Sequence, residues 1–253
     1  MSIKTATING VATIEIARPE KKNSLTLAMY QAMADAIDTA QSDAAVRAVL
    51  ITGQPGIFTS GNDLEDFMQR PPTGADSPVF RFMRALSGCS KPVVAAVTGA
   101  AVGIGTTLLL HCDFVYVSDE ARLAMPFVAL GLVPEFASSL LIPQLVGNAK
   151  AAQLLLLGEP FTGSDAVEFG IANAVLPPEE VLPYARRMAE RFNALPAGAV
   201  CDAKRLLRSA SKDLVQQTIT AEAAVFATRL RSPEAQEAFQ AFFQKRKPDF
   251  SKF

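Results

Sequence analysis

Three runs constrain the fold most: VRAVLITG (46–53), KPVVAAVTG (91–99) and DFVYVSD (113–119). Each is short, rich in valine and small apolar residues, and reads as a buried strand. Helical patterns lie between them. Strand, helix and strand in alternation implies parallel pairing with right-handed crossovers, so the chain is expected to be α/β.

The start of the chain adds a hairpin. Residues 3–8 and 11–17 alternate around Asn9-Gly10, a pair that suits a tight turn. Residues 26–41 read as a helix that Thr26 can cap, with Met29, Met33, Ala36, Ile37 and Ala40 on one face. From about residue 134 the pattern is mainly helical, with one short strand at IANAVL (171–176), and amphipathic helices dominate 197–247. We divide the chain into a core, 1–195, and a C-terminal helical region, 196–253.

Composition narrows the function classes. The 253 residues are 49% apolar and 19% charged, enough for a substantial core, and no fixed-period repeat is visible. The net charge of −1, without a long basic run, gives no electrostatic footprint for nucleic acid or an anionic membrane. Cys89, Cys112 and Cys201 are widely spaced and suggest a reducing compartment. The first twenty residues have no signal-peptide pattern, and the apolar window 100–117 reads as a buried helix then a strand. We expect a cytoplasmic protein of bacterial type; the final SKF is similar to a peroxisomal SKL address but differs from it. A single histidine, His111, excludes zinc-ligand spacing and argues against a Ser-His-Asp triad; it reads as a core residue. No metal site is expected. GAAVGIG (99–105) has neither P-loop nor dinucleotide-binding spacing.

Two loops offer backbone donors. ITGQPGIFTSGNDL (51–64) and VTGAAVGIGTTLLL (97–110) each follow a buried strand, and the second enters a helix near Ile104 or Gly105. Unpaired N–H groups converging from both would make an oxyanion hole; ordinary strand-to-helix turns are the other reading. GLVPEFASSL (131–140) holds Glu135, the only charged residue between Arg122 and Lys150. Val133-Pro134-Glu135 also reads as a helix start, so a structural glutamate in a first turn stands beside a buried catalytic one.

RPEKKNSL (18–25), FTSGNDL (58–64), KPVVAAVTGAAVGIGTTLLLHCD (91–113), GLVPEFASSL, FTGSDAVEFGIANAV (161–175) and FFQKRKPDF (242–250) together resemble the crotonase, or enoyl-CoA hydratase/isomerase, superfamily across nearly the whole chain. The resemblance implies a crotonase-like spiral of ββα turns with a C-terminal helical trimerisation region, and a homotrimer or dimer of trimers. It implies an acyl-CoA thioester as substrate, with CoA part of that substrate and no separate cofactor. By motif, the oxyanion donors would be the N–H groups of Ser60 and Ile104.

Hydratases of this family generally use two glutamates, and the matching positions here hold Thr107 and Phe127. PEFASS and FTSGNDL resemble instead the Δ3,Δ2-enoyl-CoA isomerase branch, in which a glutamate at the position of Glu135 is the base. We therefore expect Glu135 to carry a proton between carbons of the acyl chain. A hydratase with Glu135 activating water, and a non-catalytic acyl-CoA-binding module, are the alternatives. Lys21, Ser24, Leu25, Gly61, Asn62, Asp63, Leu64, Phe127 and Lys245 are expected to bind substrate, with Lys22 and the backbone near Asn23 beside them. Asp63 is expected to organise its loop, and Glu65 and Asp66 to be solvated helix residues. Phe80, Phe82, Met83 and Leu86 are candidates for an acyl tunnel, or plain core.

Overall fold

The protein is described here by a computed structural model covering residues 2–71, 74 and 76–253. Strands β1 (Ile3–Ile8) and β2 (Val11–Ile16) form the expected hairpin, with Asn9 and Gly10 both at positive φ, 48° and 72°. Asparagine and glycine enter that region at the least cost, which is why this pair sets the register. Helix α1 (Leu27–Ser42) starts where Thr26 accepts the Met29 N–H; Met29, Met33, Ile37 and Ala40 are buried, and Tyr30 and Ala34 join them. The chain then runs through β3 (Ala48–Thr52), β4 (Ile57–Thr59), α2 (Leu64–Gln69), α3 (Pro78–Ser87), β5 (Val93–Val97), β6 (Ala100–Val102), α4 (Ile104–Thr107), β7 (Phe114–Ser118) and β8 (Arg122–Ala124). It continues through α5 (Ser138–Ala152), β9 (Phe161–Thr162), α6 (Gly163–Glu168), β10 (Ala174–Leu176) and α7 (Pro178–Glu190). Helices α8 (Ala197–Ser209), α9 (Lys212–Arg229) and α10 (Pro233–Phe243) complete it.

The strands build two sheets, ordered β1-β2-β3-β5-β7-β10 and β4-β6-β8-β9. The three apolar runs become β3, β5 and β7, adjacent, parallel and almost wholly buried. Each is followed by a short strand, β4, β6 or β8, and those three also pair in parallel. Each of these three turns thus places one strand in each sheet and closes with helical structure, which is the expected crotonase-like spiral. The stretch expected to be mainly helical also holds β9, paired antiparallel with β8; two residues are too few for a strand period to show. Helix α5 begins at Ser138, later than the Val133-Pro134-Glu135 start suggested, and Gly147 (φ 74°, ψ 164°) kinks it.

The last three helices do not stand apart. Val215, Ile219, Phe226, Ala235 and Phe239 belong to the same apolar cluster as the strands. A buried ion pair reinforces the join: Lys204 of α8 reaches Asp113 at 2.6 Å, and Arg208 reaches its other oxygen at 2.8 Å. Asp113 also accepts the Val93 N–H at 2.8 Å, tying α8 to the β5–β7 region. Removing one partner of such a pair strands the other charge in the interior. Asp113→Ala is therefore expected to destabilise the protein by about 3–5 kcal/mol, read by urea unfolding. A change under about 1 kcal/mol, as for an exposed pair, would contradict it.

Candidate active site

Parallel pairing of β4 with β6 sets Thr59 opposite Ala101, so the loops that follow leave the sheet side by side. They touch at backbone level. A Cβ on Gly61 (φ 93°) would lie 2.9 Å from the Val102 carbonyl oxygen, so this position needs glycine both for its φ and for the approach.

The hydrogen bonds decide which donors are free in the first loop. The Ser60 N–H donates to Lys22 O at 3.1 Å, and the Gly61 N–H donates to Thr59 Oγ1 at 3.1 Å. This corrects the expected donor: the Ser60 N–H is already engaged. Leu25 donates to Gly61 O at 2.8 Å and accepts from the Asp63 N–H at 2.9 Å. That is a parallel bridge spanning both neighbours of Asn62, and it turns the Asn62 N–H to the opposite side. In the second loop, Gly103 donates to Ala124 O at 2.8 Å, while its own carbonyl accepts from Thr106 and Thr107 at 2.9 and 3.0 Å. The Ile104 N–H lies in the first turn, where the helix supplies no acceptor. The Ile104 side chain is fully buried, so only its backbone is on offer.

Both loops border a cleft of about 620 Å³. Lys21, Ser24, Ser60, Gly61, Asn62, Asp63, Leu64 and Phe127 line it, as do Lys22, Gly103 and aromatic rings from α9 and α10. Three expected contacts lie off it. Leu25 is wholly buried and acts as the splint just described, Ile104 sits behind Gly103, and Lys245 is exposed beyond α10. Leu25 and Lys245 were placed by their neighbourhood in the sequence, which does not show which face a residue presents, whereas Ile104 was expected only for its backbone N–H.

Arg18 and Asn23 organise the cleft rim. Arg18 donates to Asp63 at 2.7 Å and to the Ser24 carbonyl at 3.0 Å. Asn23, fully buried, accepts the Arg18 N–H at 2.7 Å and donates to Ile57 O and Phe58 O at 3.2 and 3.1 Å. Asp63 takes the organising role, its side chain accepting the Asp66 N–H at 3.1 Å as the cap of α2. Burial alone would raise its pKa, but the Asp66 N–H, Arg18 and Ser24 outweigh burial and hold it below the usual value. Asp66 is a correction: it is buried rather than solvated, and accepts the Leu27 N–H at 2.7 Å. The position is committed by tertiary contact with the start of α1, invisible in the local pattern.

Glu135 lies one layer behind the cleft. It is only 6% exposed and borders a small chamber of about 10 Å³ with Phe80, Met83, Phe136 and Ile219. Phe67 and Phe226 line both chamber and cleft and so form the wall between them. Phe82 and Leu86 are core instead, Phe82 packing at a tilt between the rings of Tyr30 and Phe136. Glu135 Oε1 has no hydrogen-bond partner among the described residues. Burial, and secondarily the charge of Glu222, push its pKa up to about 8. Tyr30 faces the same carboxyl; burial and the Glu135 charge raise its pKa well above the ordinary value, and its hydroxyl donates to Asn62 Oδ1. His111 is buried as expected. Its Nε2–H donates to Phe136 O at 2.8 Å, its ring stacks on Phe136 at 3.8 Å, and burial lowers its pKa to about 4, so it is neutral.

The arrangement thus sets the two loops that carry the Asn62 and Ile104 N–H groups along the cleft, with a high-pKa acid held nearly dry one layer behind it. Thr107 is fully buried and Phe127 is a wall residue, so neither contributes an acid. Among the described residues no cluster of three His, Cys, Asp or Glu could hold a metal ion.

Residues 6–252 match the family model described as Enoyl-CoA hydratase/isomerase. The chain is 30% identical over 255 residues to a probable enoyl-CoA hydratase of Bacillus subtilis, covering 98% of each. It is 32% identical to the human enoyl-CoA delta isomerase 2, over 94% of this chain and 62% of that protein. The solved structure of Pseudomonas aeruginosa OdaA superposes with a TM-score of 0.94 at 53% identity, covering 95% of this chain and 98% of that one.

The raised pKa of Glu135 has a stability consequence. Its folded pKa lies above the unfolded value, so the favourable contribution is complete below the unfolded pKa of about 4.3. It is lost as pH rises through about 8. Glu135→Gln is therefore expected to stabilise the protein relative to wild type more at pH 9 than at pH 5, read as the difference in Tm. An equal or opposite difference at the two pH values would contradict a carboxyl whose pKa is raised by burial.

Proposed function

Since the chain belongs to the enoyl-CoA hydratase/isomerase family, which acts on acyl-CoA thioesters, we propose that it is a Δ3,Δ2-enoyl-CoA isomerase. The observation that carries this reading is the dry acid: Glu135 sits in a chamber holding one water at most, while Thr107 and Phe127 stand where the family resemblance would place a hydratase's acids.

In this mechanism the thioester oxygen accepts from the Asn62 and Ile104 N–H groups. Ionised Glu135 removes a proton from C2 of a 3-enoyl thioester. The C2–H electron pair becomes the C1–C2 double bond of a dienolate, and negative charge moves onto the thioester oxygen, where the two donors stabilise it. One such donor contributes about 100- to 1000-fold in rate. The oxygen's charge then returns to restore the carbonyl, C2–C3 becomes the double bond, and the C3–C4 pair takes the proton back from Glu135 at C4. One carboxyl performs both transfers, so no water is consumed. The acyl chain reaches Glu135 by parting the wall formed by Phe67 and Phe226. Phe80, Met83 and Ile219 around the acid favour an apolar chain.

Hydration is the second reading, supported by the relative named a probable hydratase. It requires a water held by polar partners beside Glu135, and the chamber's lining is mostly apolar.

The test is turnover of trans-3-hexenoyl-CoA, followed as 2-enoyl thioester absorbance, beside hydration of crotonyl-CoA. Glu135→Gln is expected to lower isomerisation by about 1000-fold, within the range of a general acid–base group. In wild type, kcat/KM is expected to rise with pH and level off above about 8, since the base must first ionise. Rapid hydration with poor isomerisation, or a fully active Glu135→Gln, would overturn the proposal.

A further inference from the structure

We propose that Glu222 of α9 is the positioning residue for the acid: it holds the strained turn that carries Glu135 and keeps a like charge beside it. This rests on Glu135 being the acid of the proposed reaction.

The turn needs holding. Phe136 and Ala137, immediately after Glu135, both adopt left-handed backbone, at φ 59° and 56°. Neither is glycine, and two consecutive non-glycine residues there are strained; such strain persists only where the surroundings over-determine it. Two contacts do so. His111 fixes the Phe136 carbonyl. Glu222 takes the rest: its Oε2 accepts the Ala137 N–H at 2.6 Å, and its Oε1 accepts the Ser139 N–H at 3.0 Å and the Ser139 hydroxyl at 2.5 Å. A carboxylate is the one side-chain group that can accept at both oxygens and donate nothing, which is what three converging donors require.

The two acids are unequally served. Glu222 has three donors, whereas Glu135 Oε1 has none among the described residues. Burial raises both, but the donors favour ionising Glu222 first, leaving Glu135 as the carboxyl that keeps its proton. The groups facing Glu135 are Tyr30 from α1 and Glu222 from α9, with neutral His111 against the next residue. Among the described residues no cation joins them, so Glu222 is the charge that adds to burial in raising the acid's pKa.

The experiment compares wild type with Glu222→Gln, whose amide supplies one acceptor and turns a donor toward a backbone N–H. The carboxyl of Glu135 is titrated by carbon NMR in the substrate-free protein, with Glu135→Gln identifying the resonance. Turnover of trans-3-hexenoyl-CoA is measured alongside. The expected result is a lower titration midpoint for Glu135 and a kcat reduced about 100-fold with KM little changed, because the acid is displaced from its productive position. An unmoved midpoint overturns the assignment, as does a lowered midpoint with undiminished turnover. A lowered midpoint in a protein whose wild type does not isomerise retains the electrostatic link but overturns the catalytic positioning, and places the failure in the proposed reaction. Should Glu222→Gln not fold, the Ala137 and Ser139 amide shifts of wild type decide: movement with the protonation of Glu222 upholds the clamp, and constant shifts refute it.

Discussion

A carboxyl oxygen buried without a hydrogen bond is costly in the ionised form, and among the described residues Glu135 Oε1 has no partner. The fold accommodates it by keeping the proton on and by confining the cost to a small volume. Aromatic and aliphatic side chains from α2, α3 and α9 close the chamber, Glu222 occupies the donors of the adjoining turn, and His111 stacks beneath Phe136. The result is an acid whose pKa is pushed up to about 8, which suits the proposed reaction, where one group takes and returns a proton.

The second element of the site is geometric. Two short parallel strands, β4 and β6, bring two loops into backbone contact, and the bridge through Leu25 orients one of them. Backbone donors set in this way tolerate side-chain change, which is why isoleucine at position 104 is compatible with the proposed role. The acid and the donors reach the site from different turns of the spiral, linked through Tyr30, which bonds Asn62 and faces Glu135.

Much of this was legible in the sequence, and the gaps have identifiable causes. The runs that became β3, β5 and β7, the Asn-Gly turn and the Thr26 cap are local signals, and local physics decided them. A lone charge in an apolar stretch marked Glu135. The free donor of the first loop was not legible, because Ser60 is engaged by a carbonyl 38 positions earlier in the chain, Lys22. Glu222 left a fainter signal: it shares a buried stripe with Val215, Ile219 and Phe226, helical spacing that sets an acid on an apolar face. Its partners lie more than 80 residues away, so only tertiary structure gives the stripe its meaning. Lys204, buried against Asp113, was hidden in the same way.

The central claim is that one sealed carboxyl carries the proton from C2 to C4. Running the isomerisation of a 3-enoyl thioester in heavy water, and reading the isotope at C4 of the product by mass spectrometry, tests it most directly. The account predicts that a substantial share of product retains protium at C4, because the proton taken from C2 is returned before it exchanges with solvent. Complete deuterium incorporation at C4, accompanied by a 3-hydroxyacyl product, would contradict it and assign Glu135 to the activation of water.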